Sequence, residues 1–260
     1  MTKVLLFGGL GNHLFQIARA IDHKNRGSNV QVILIRKYKK ILYTLANFTL
    51  HESWLDETKL LDYHQINSRD ANIKEIIIIG ICFLLNKINL YNNFDRKKDL
   101  FQKENLELGF DIGYFQSLEH VSKSSIEDIC RSLLVMLEIE GRKTASNYLV
   151  VHVRGGDFKE NMRLEKEDIQ NIYEISKSKN LRILVVTNDR QFALEIFSDI
   201  DFIFSNNENA LEDFKTISEA TNIYLSESTF SFWAAMCSTL LGSEVIAYPN
   251  NFRLKPFFHD

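Results

Sequence analysis

The sequence predicts an α/β protein built on parallel sheets. Three observations support this. The chain opens with a strand, a glycine-rich turn and a helix. Its second half alternates short apolar runs with amphipathic helical stretches. Those runs are continuously apolar, as in strands covered on both faces.

In chain order, Lys3–Phe7 reads as a short buried strand. Gly8-Gly9-Leu10-Gly11-Asn12 is a turn, and His13–Arg26 has helical spacing through Leu14, Ile17, Ala18 and Ile21. Val30–Ile35 is a second strand. Residues 36–110 carry few signals, and helices and loops are expected there, with a helical patch at Asp56–Ile66. Ile76–Leu85 is the most apolar run; it is too short to span ~30 Å of hydrocarbon as a helix, so it reads as a core segment. Contact with a membrane surface is its alternative use. Phe110–Phe115 is a short aromatic segment, and Ser124–Ile139 is a helix by spacing. Glu140–Asn147 is polar and contains Gly141, which places a domain boundary there: 1–145 and 146–260.

The second half then reads as strand Tyr148–Val153, helix Lys166–Ser178, strand Arg182–Thr187 and helix Gln191–Phe197. Strand Asp201–Phe204, helix Ala210–Ala220, strand Asn222–Leu225, a helix from Phe230 and strand Glu244–Tyr248 follow. Right-handed crossovers are expected between parallel neighbours.

A net charge of -3 gives no electrostatic case for a nucleic-acid partner. The cysteines, Cys82, Cys130 and Cys237, have no paired spacing, which argues against a zinc site or a disulfide framework. The start of the chain is too short in apolar residues and too rich in glycine for a signal peptide. Asp199-Ile200-Asp201 has the D-x-D form of a metal motif, but it precedes an apolar run instead of following one, and it reads as a chance match. The histidines His23, His51, His64, His120 and His259 are scattered, as structural or surface residues are. Trp54 and Trp233 are able to stack on a sugar or base, though Trp233 sits in an apolar helix and reads as core.

Two stretches carry chemistry. In YLVVHVRGGDF (148–158) an apolar strand delivers His152, Arg154 and Asp157 at its carboxyl end, where ligands sit in open α/β sheets. Arg154 there can fork onto a phosphate or carboxylate. A structural Arg–Asp ion pair is the plainer alternative. In the second stretch a strand ends and Ser226, Ser228 and Thr229 lead into a helix beginning at Phe230. Hydroxyls and free N–H groups at a helix start cradle an anion, though ordinary capping uses the same residues. The loop at Gly8–Asn12 fits neither a dinucleotide fingerprint nor a P-loop, because the third glycine and the Gly-Lys-Ser/Thr are missing. It presents Asn12, with His13 and Gln16 as further candidates, to a cleft, or it is a plain βα turn.

These segments resemble those of the bacterial α-1,2-fucosyltransferases, glycosyltransferase family 11. GGLGNHLFQIARA is similar to that family's GGLGNQLFQ opening and HVRGGDF to its HVRRGDY motif. GYFQS at Gly113–Ser117, TNDR at Thr187–Arg190 and ALEDFKTISEATNIYLSESTFSFWAA, similar to an Asp-containing helix followed by NSTFSWWAA, complete the set. The matches fall in the family's order from Val4 to Tyr248.

The resemblance implies a GT-B-type fold: two Rossmann-like lobes whose parallel sheets face across a cleft. The C-terminal lobe would hold a GDP-fucose donor, and fucose would pass with inversion to the 2-hydroxyl of a sugar without an obligate metal or other cofactor. It implies a donor-diphosphate role for Arg154, with His152 and Asp157 shaping the site. Ser228, Thr229 and Phe230 would take phosphate oxygens at the helix start, Gly11 and Asn12 would approach donor or acceptor, and Asp213 would read the nucleotide. Breaking a sugar–diphosphate bond leaves negative charge that fixed Arg and N–H donors can stabilise. A base for the acceptor hydroxyl would be Asp157, Glu160 or Glu165. The expected partners are GDP-fucose and a β-galactoside glycan or lipid-linked oligosaccharide of surface-polysaccharide synthesis. The expected location is cytoplasmic, with peripheral contact at the inner membrane.

Four positions depart from the pattern. Gly155 replaces the second Arg, His13 a Gln, Glu227 an Asn and Phe232 a Trp. These leave two alternatives open: a same-fold transferase using another nucleotide sugar, and a sugar-nucleotide-binding protein without turnover.

Overall fold

The computed structural model describes residues 1–36, 40, 55–87, 102–105, 110–141, 147–155 and 164–259. Its contacts divide into two compact units, Met1–Ile129 and Cys130–Asp260. The expected boundary at 145/146 falls against residues 142–146, outside the described set.

The first unit is built on a five-stranded sheet. In chain order its elements are β1 (Thr2–Leu6), α1 (Leu10–Asn25), β2 (Val30–Leu34), α2 (Glu57–Tyr63), β3 (Asn67–Asp70), α3 (Ile73–Lys87), β4 (Gln102–Asn105) and β5 (Phe110–Gly113). The strand order is β3-β2-β1-β5-β4, with β4 antiparallel to β5 and the other pairings parallel. Leu5, Phe7, Ile33, Ile76, Ile79 and Ile112 form a core on one face of this sheet. Ile76–Leu85 lies within α3: Ile76 and Ile79 enter that core, whereas Ile73, Ile77 and Ile81 are exposed one turn apart. Glu75 is buried at the foot of α3, where it accepts hydrogen bonds from Arg69, Lys3 and the Asn72 N–H. These bonds hold its carboxyl down at about 2.

Helix α4 (Lys123–Met136) runs through the division between the units. Its start is fixed to α1 by Asp22, which accepts from the Ser122 N–H and from the hydroxyls of Ser122 and Ser125. Asp111 on β5 accepts from Arg19 at 2.9 Å and pairs with His23 at 2.7 Å, so His23 is structural as expected.

The second unit holds β6 (Tyr148–Val153), α5 (Lys166–Ser178), β7 (Arg182–Thr187), α6 (Arg190–Ile196) and β8 (Phe202–Phe204). Then come α7 (Ala210–Ser218), β9 (Asn222–Tyr224), α8 (Thr229–Leu240), β10 (Val245–Ala247) and a 3-10 turn at Lys255–Phe258. All its strand pairings are parallel, in the order β10-β9-β6-β7-β8. Read from β8, this is the 3-2-1-4-5 order of a doubly wound sheet. Leu149, Val151 and Val153 alternate onto one face with Ile172, Ile183, Val185 and Phe197. The two-residue period sends His152 to the other face, beside Phe230. Trp233 is fully buried in α8, so it is core. No helix among the described residues is long and apolar enough to cross a membrane.

Candidate functional site

In doubly wound sheets a crevice opens where the chain reverses its direction of winding, outside the carboxyl ends of the strands. In the second unit that point lies between β6 and β9, which pair through Leu149–Asn222, Val150–Ile223 and Val151–Tyr224. Both candidate stretches of the sequence end there. The His152 Nδ1 and Ser226 Oγ atoms stand 2.7 Å apart, tying the end of one strand to the loop after the other. His152 is 4% exposed. Burial, reinforced by the neighbouring Arg154 charge, pushes its pKa down to about 3, so the ring is neutral. Arg154 is half-buried at the strand end.

Gly155 follows, and its N–H donates to Asn188 Oδ1 at 3.1 Å. A Cβ at Gly155 would lie 2.5 Å from the Asp189 Cβ, so this position has no room for a side chain. Asp189 caps α6, accepting from the Phe192 N–H. That helix therefore begins at Arg190, one residue before the spacing suggested. Asp157 and Glu160 lie outside the described residues. Glu165 is the N-cap of α5, and its N–H donates to Asp168 Oδ2.

The loop from β9 to α8 is almost wholly buried through Ser226, Glu227 and Ser228. Ser228 is the N-cap of α8, yet its side chain makes no capping hydrogen bond. Thr229 and Phe230 occupy the first turn, and Phe230 packs between His152 and Phe214. Glu227 does not face an anion bare: Arg253 donates to it through Nε at 2.6 Å and through its backbone N–H at 3.0 Å. Nothing in the local sequence signals this pair, whose members are 26 residues apart.

Beside this point, at the carboxyl ends of β7 and β8, is a pocket of about 210 Å3. Thr187, Asn188, Arg190, Ser205, Asn207 and Asp213 contribute to its lining. Asp213 accepts from Asn207 Nδ2 at 2.9 Å, and burial raises its pKa. Asn188 and Arg190 were legible in TNDR; Asn207 carried no sequence signal.

The first unit has its own reversal point, between β1 and β5. Here the opening motif and GYFQS meet. Gln116 donates to Asn12 Oδ1 at 2.7 Å, Phe7 stacks on Tyr114, and Gln16 spans both strand ends through Phe7 and Gly113. Gly8 has φ +91°, and a Cβ there would come within 2.7 Å of Asn12 Nδ2. The turn is shorter than expected. Gly9, in an extended conformation, caps α1 from Leu10, so Gly11 and Asn12 belong to the helix. His13 is also helical, and its Nδ1 pairs with Glu57 at 2.8 Å.

Among the described residues no group of three or more His, Cys, Asp or Glu side chains converges as a metal site would. Asp199 and Asp201 flank the amino end of β8, away from the carboxyl-end crevice.

The chain is similar to several known proteins. The chain is 27% identical to an α-1,2-colitosyltransferase from Escherichia coli over 263 residues, covering 88% of this chain and 85% of that one. Among solved structures it is similar to POFUT1 in complex with GDP-fucose, with 11% identity, a TM-score of 0.44 and 96% and 98% of the two chains covered. It is also similar to NodZ α-1,6-fucosyltransferase soaked with GDP-fucose, with 13% identity, a TM-score of 0.43 and 91% of each chain covered. The model of glycosyl transferase family 11 matches residues 1–255, and the chain belongs to that family.

Proposed function

We propose that this family 11 enzyme transfers L-fucose from GDP-fucose, with inversion, to the 2-hydroxyl of a β-galactoside acceptor. The observation that carries the reading is the reversal point of the second unit. There an Arg154 side chain, a neutral buried His152 and the hydroxyl-bearing start of α8 meet. This is the equipment a departing nucleoside diphosphate needs: a cation, helix-start N–H groups and hydroxyl donors in a partly desolvated site.

In this mechanism Arg154 stabilises charge on the diphosphate as the glycosidic bond breaks. Ser228, Thr229 and the N–H groups at Phe230 take phosphate oxygens. The pocket containing Asp213 accepts the base, whose ring N–H groups would donate to the carboxylate. His152 holds Ser226 and the loop, and a pKa near 3 removes it from acid–base duty at neutral pH. Asp157, Glu160 or Glu165 would take the acceptor proton. Asn12, positioned by Gln116, and Gly11 would serve the acceptor or the sugar. No metal or other cofactor is assigned a step, and the enzyme would work in the cytoplasm on a lipid-linked surface-polysaccharide unit, touching the inner membrane peripherally.

A second reading follows from the colitosyltransferase relative. Colitose is fucose without its 3-hydroxyl, so a site that hydrogen-bonds that hydroxyl would discriminate strongly between the two donors. The test is GDP release from GDP-fucose and GDP-colitose, each with and without a β-galactoside, and with and without EDTA. Acceptor-dependent release from GDP-fucose, unchanged by EDTA and abolished in Arg154→Ala, is expected. Preference for GDP-colitose would move the donor assignment. Saturable GDP-fucose binding with no turnover on any acceptor would make the chain a binding protein, and loss with EDTA would overturn the metal-free mechanism.

A further inference from the structure

The C-terminal segment after β10 returns to the start of α8 and grips it in two ways. Phe257 and Phe258 pack their rings on Phe232, at 5.3 and 5.6 Å between centroids. Tyr248, stacked on Phe252 and Phe258, braces the same segment, in which Phe252 is fully buried. Between these aromatic contacts Arg253 reaches Glu227, and both Glu227 carboxylate oxygens are used: Oε1 by the guanidinium Nε and Oε2 by the Arg253 N–H. The Glu227 side chain is 7% exposed and the Arg253 side chain 35%.

The position of this pair gives it a consequence for binding. Glu227 is the residue immediately before the N-cap of α8. On its other side Ser226 is held by His152. A carboxylate buried there, uncompensated, would place a negative charge beside any anion at Ser228 and Thr229. In a partly desolvated site that repulsion is poorly screened. Arg253 cancels it, and its backbone N–H fixes the carboxylate's orientation.

We propose that Arg253 is a positioning residue for the donor. By neutralising and orienting Glu227 it keeps the β9–α8 loop able to accept a nucleoside diphosphate. The inference rests on the donor reading above. It predicts an unusual sign: losing Arg253 is harmful because Glu227 is present, and removing Glu227 as well repairs the defect.

The test is GDP binding by titration calorimetry at low and moderate salt for wild type, Arg253→Ala, Glu227→Asn and the double variant, with thermal unfolding of each. Arg253→Ala is expected to weaken GDP about tenfold or more, by the like-charge repulsion it unmasks, with a loss that changes little between low and moderate salt because the charge is largely buried. The double variant is expected to return to within about threefold of wild type, although it lacks the ion pair and is no more thermostable than the single variant. A purely structural role would make the double variant bind as weakly as Arg253→Ala, and that result overturns the proposal. So does wild-type affinity in a folded Arg253→Ala. If Arg253→Ala does not fold, Glu227→Asn and the double variant decide: both must bind GDP within about threefold of wild type, and a weaker double variant refutes the idea. Absence of saturable GDP binding to wild type would instead fell the donor reading itself.

Discussion

Gly155 offers a sharp test of the packing at the reversal point of the second unit. No positive φ demands glycine there; space does. An added Cβ would meet Asp189 Cβ at 2.5 Å, Oδ2 at 2.8 Å and Cγ at 3.0 Å. The nearest of these atoms is bound to the backbone, so rotating the Asp189 side chain does not relieve the contact. Asp189 is itself held, since its Oδ1 accepts the Phe192 N–H at 3.1 Å to cap α6. The chain must therefore shift at β6 or at the start of α6, and overpacking of this kind costs about 1–3 kcal/mol. For a chain of this size the thermal midpoint falls by about 2–4 °C per kcal/mol. Asp189→Gly removes all three clashing atoms and leaves a tolerable cap residue, at a cost of a few tenths of a kcal/mol for the cap. The double-variant cycle then separates the causes. Gly155→Ala should lower the midpoint clearly in the wild-type background and hardly at all in the Asp189→Gly background, giving a coupling of about 1–3 kcal/mol. Equal effects in both backgrounds, or no effect in the first, would refute the steric account. The same geometry makes Gly155→Arg a destabilising change, so restoring the family pattern's second arginine would not simply add a donor contact.

Three other perturbations follow from buried polar groups. His152 has a folded pKa of about 3 against 6.5 in an unfolded chain, so its stabilisation is complete above 6.5 and declines as pH falls towards 3. Protonation of the unfolded state alone then costs about 3 kcal/mol at pH 4, and urea midpoints of a His152→Asn variant should fall less steeply between pH 7 and 4 than those of wild type; parallel curves would count against it. Glu75→Gln removes the charge and one of the two acceptor oxygens that Arg69, Lys3 and Asn72 share and should cost about 1–3 kcal/mol at pH 7. Because the Glu75 pKa is lowered from 4.5 to about 2, that cost should shrink as pH falls through this window, as denaturation at pH 7 and pH 3 would report. Gln16→Leu removes the amide that bonds the Phe7 N–H and C=O and the Gly113 C=O. About 0.5–1.5 kcal/mol per lost hydrogen bond is expected, with faster amide exchange at Phe7 as the local readout.

The residues themselves explain why some of this was legible and some was not. Tyr148–Val153, Lys166–Ser178 and Arg182–Thr187 form elements over the ranges their periodicity marked, because buried central strands and one-sided helices leave strong patterns. β3, reading NSRD, and β4, reading QKEN, left none. Both are edge strands of four residues, where polar side chains are the usual protection against further pairing, so their sequences resemble loops. The start of α1 was set too late because glycines suggested a turn, whereas Gly9 serves as an extended cap and Gly11 fits the first helical turn. At the site, His152, Arg154 and Ser228 were visible because strand ends and helix starts announce themselves. Glu227 raised a question of charge that its neighbours could not answer. Its partner lies beyond another strand, and no spacing rule links residues 26 apart through a tail.

The two reversal points explain why the informative motifs are scattered yet convergent. In a doubly wound sheet the first strand sits centrally and the chain returns to its other side only after several crossovers. The motif on that first strand therefore meets a second motif from much later in the chain: Gln16 reaches Gly113 in one unit, and His152 reaches Ser226 in the other. In the second unit this closure also fixes the charge state. A protonated His152 would face the Arg154 cation in a buried setting, and burial alone already favours the neutral ring. The positive charge at the strand end is thus that of Arg154 alone of the two. A carboxylate at 227 would offset that charge if it were bare, and Arg253 prevents this. The field at the start of α8 is accordingly set by Arg154 and the helix N–H groups, both of positive sign.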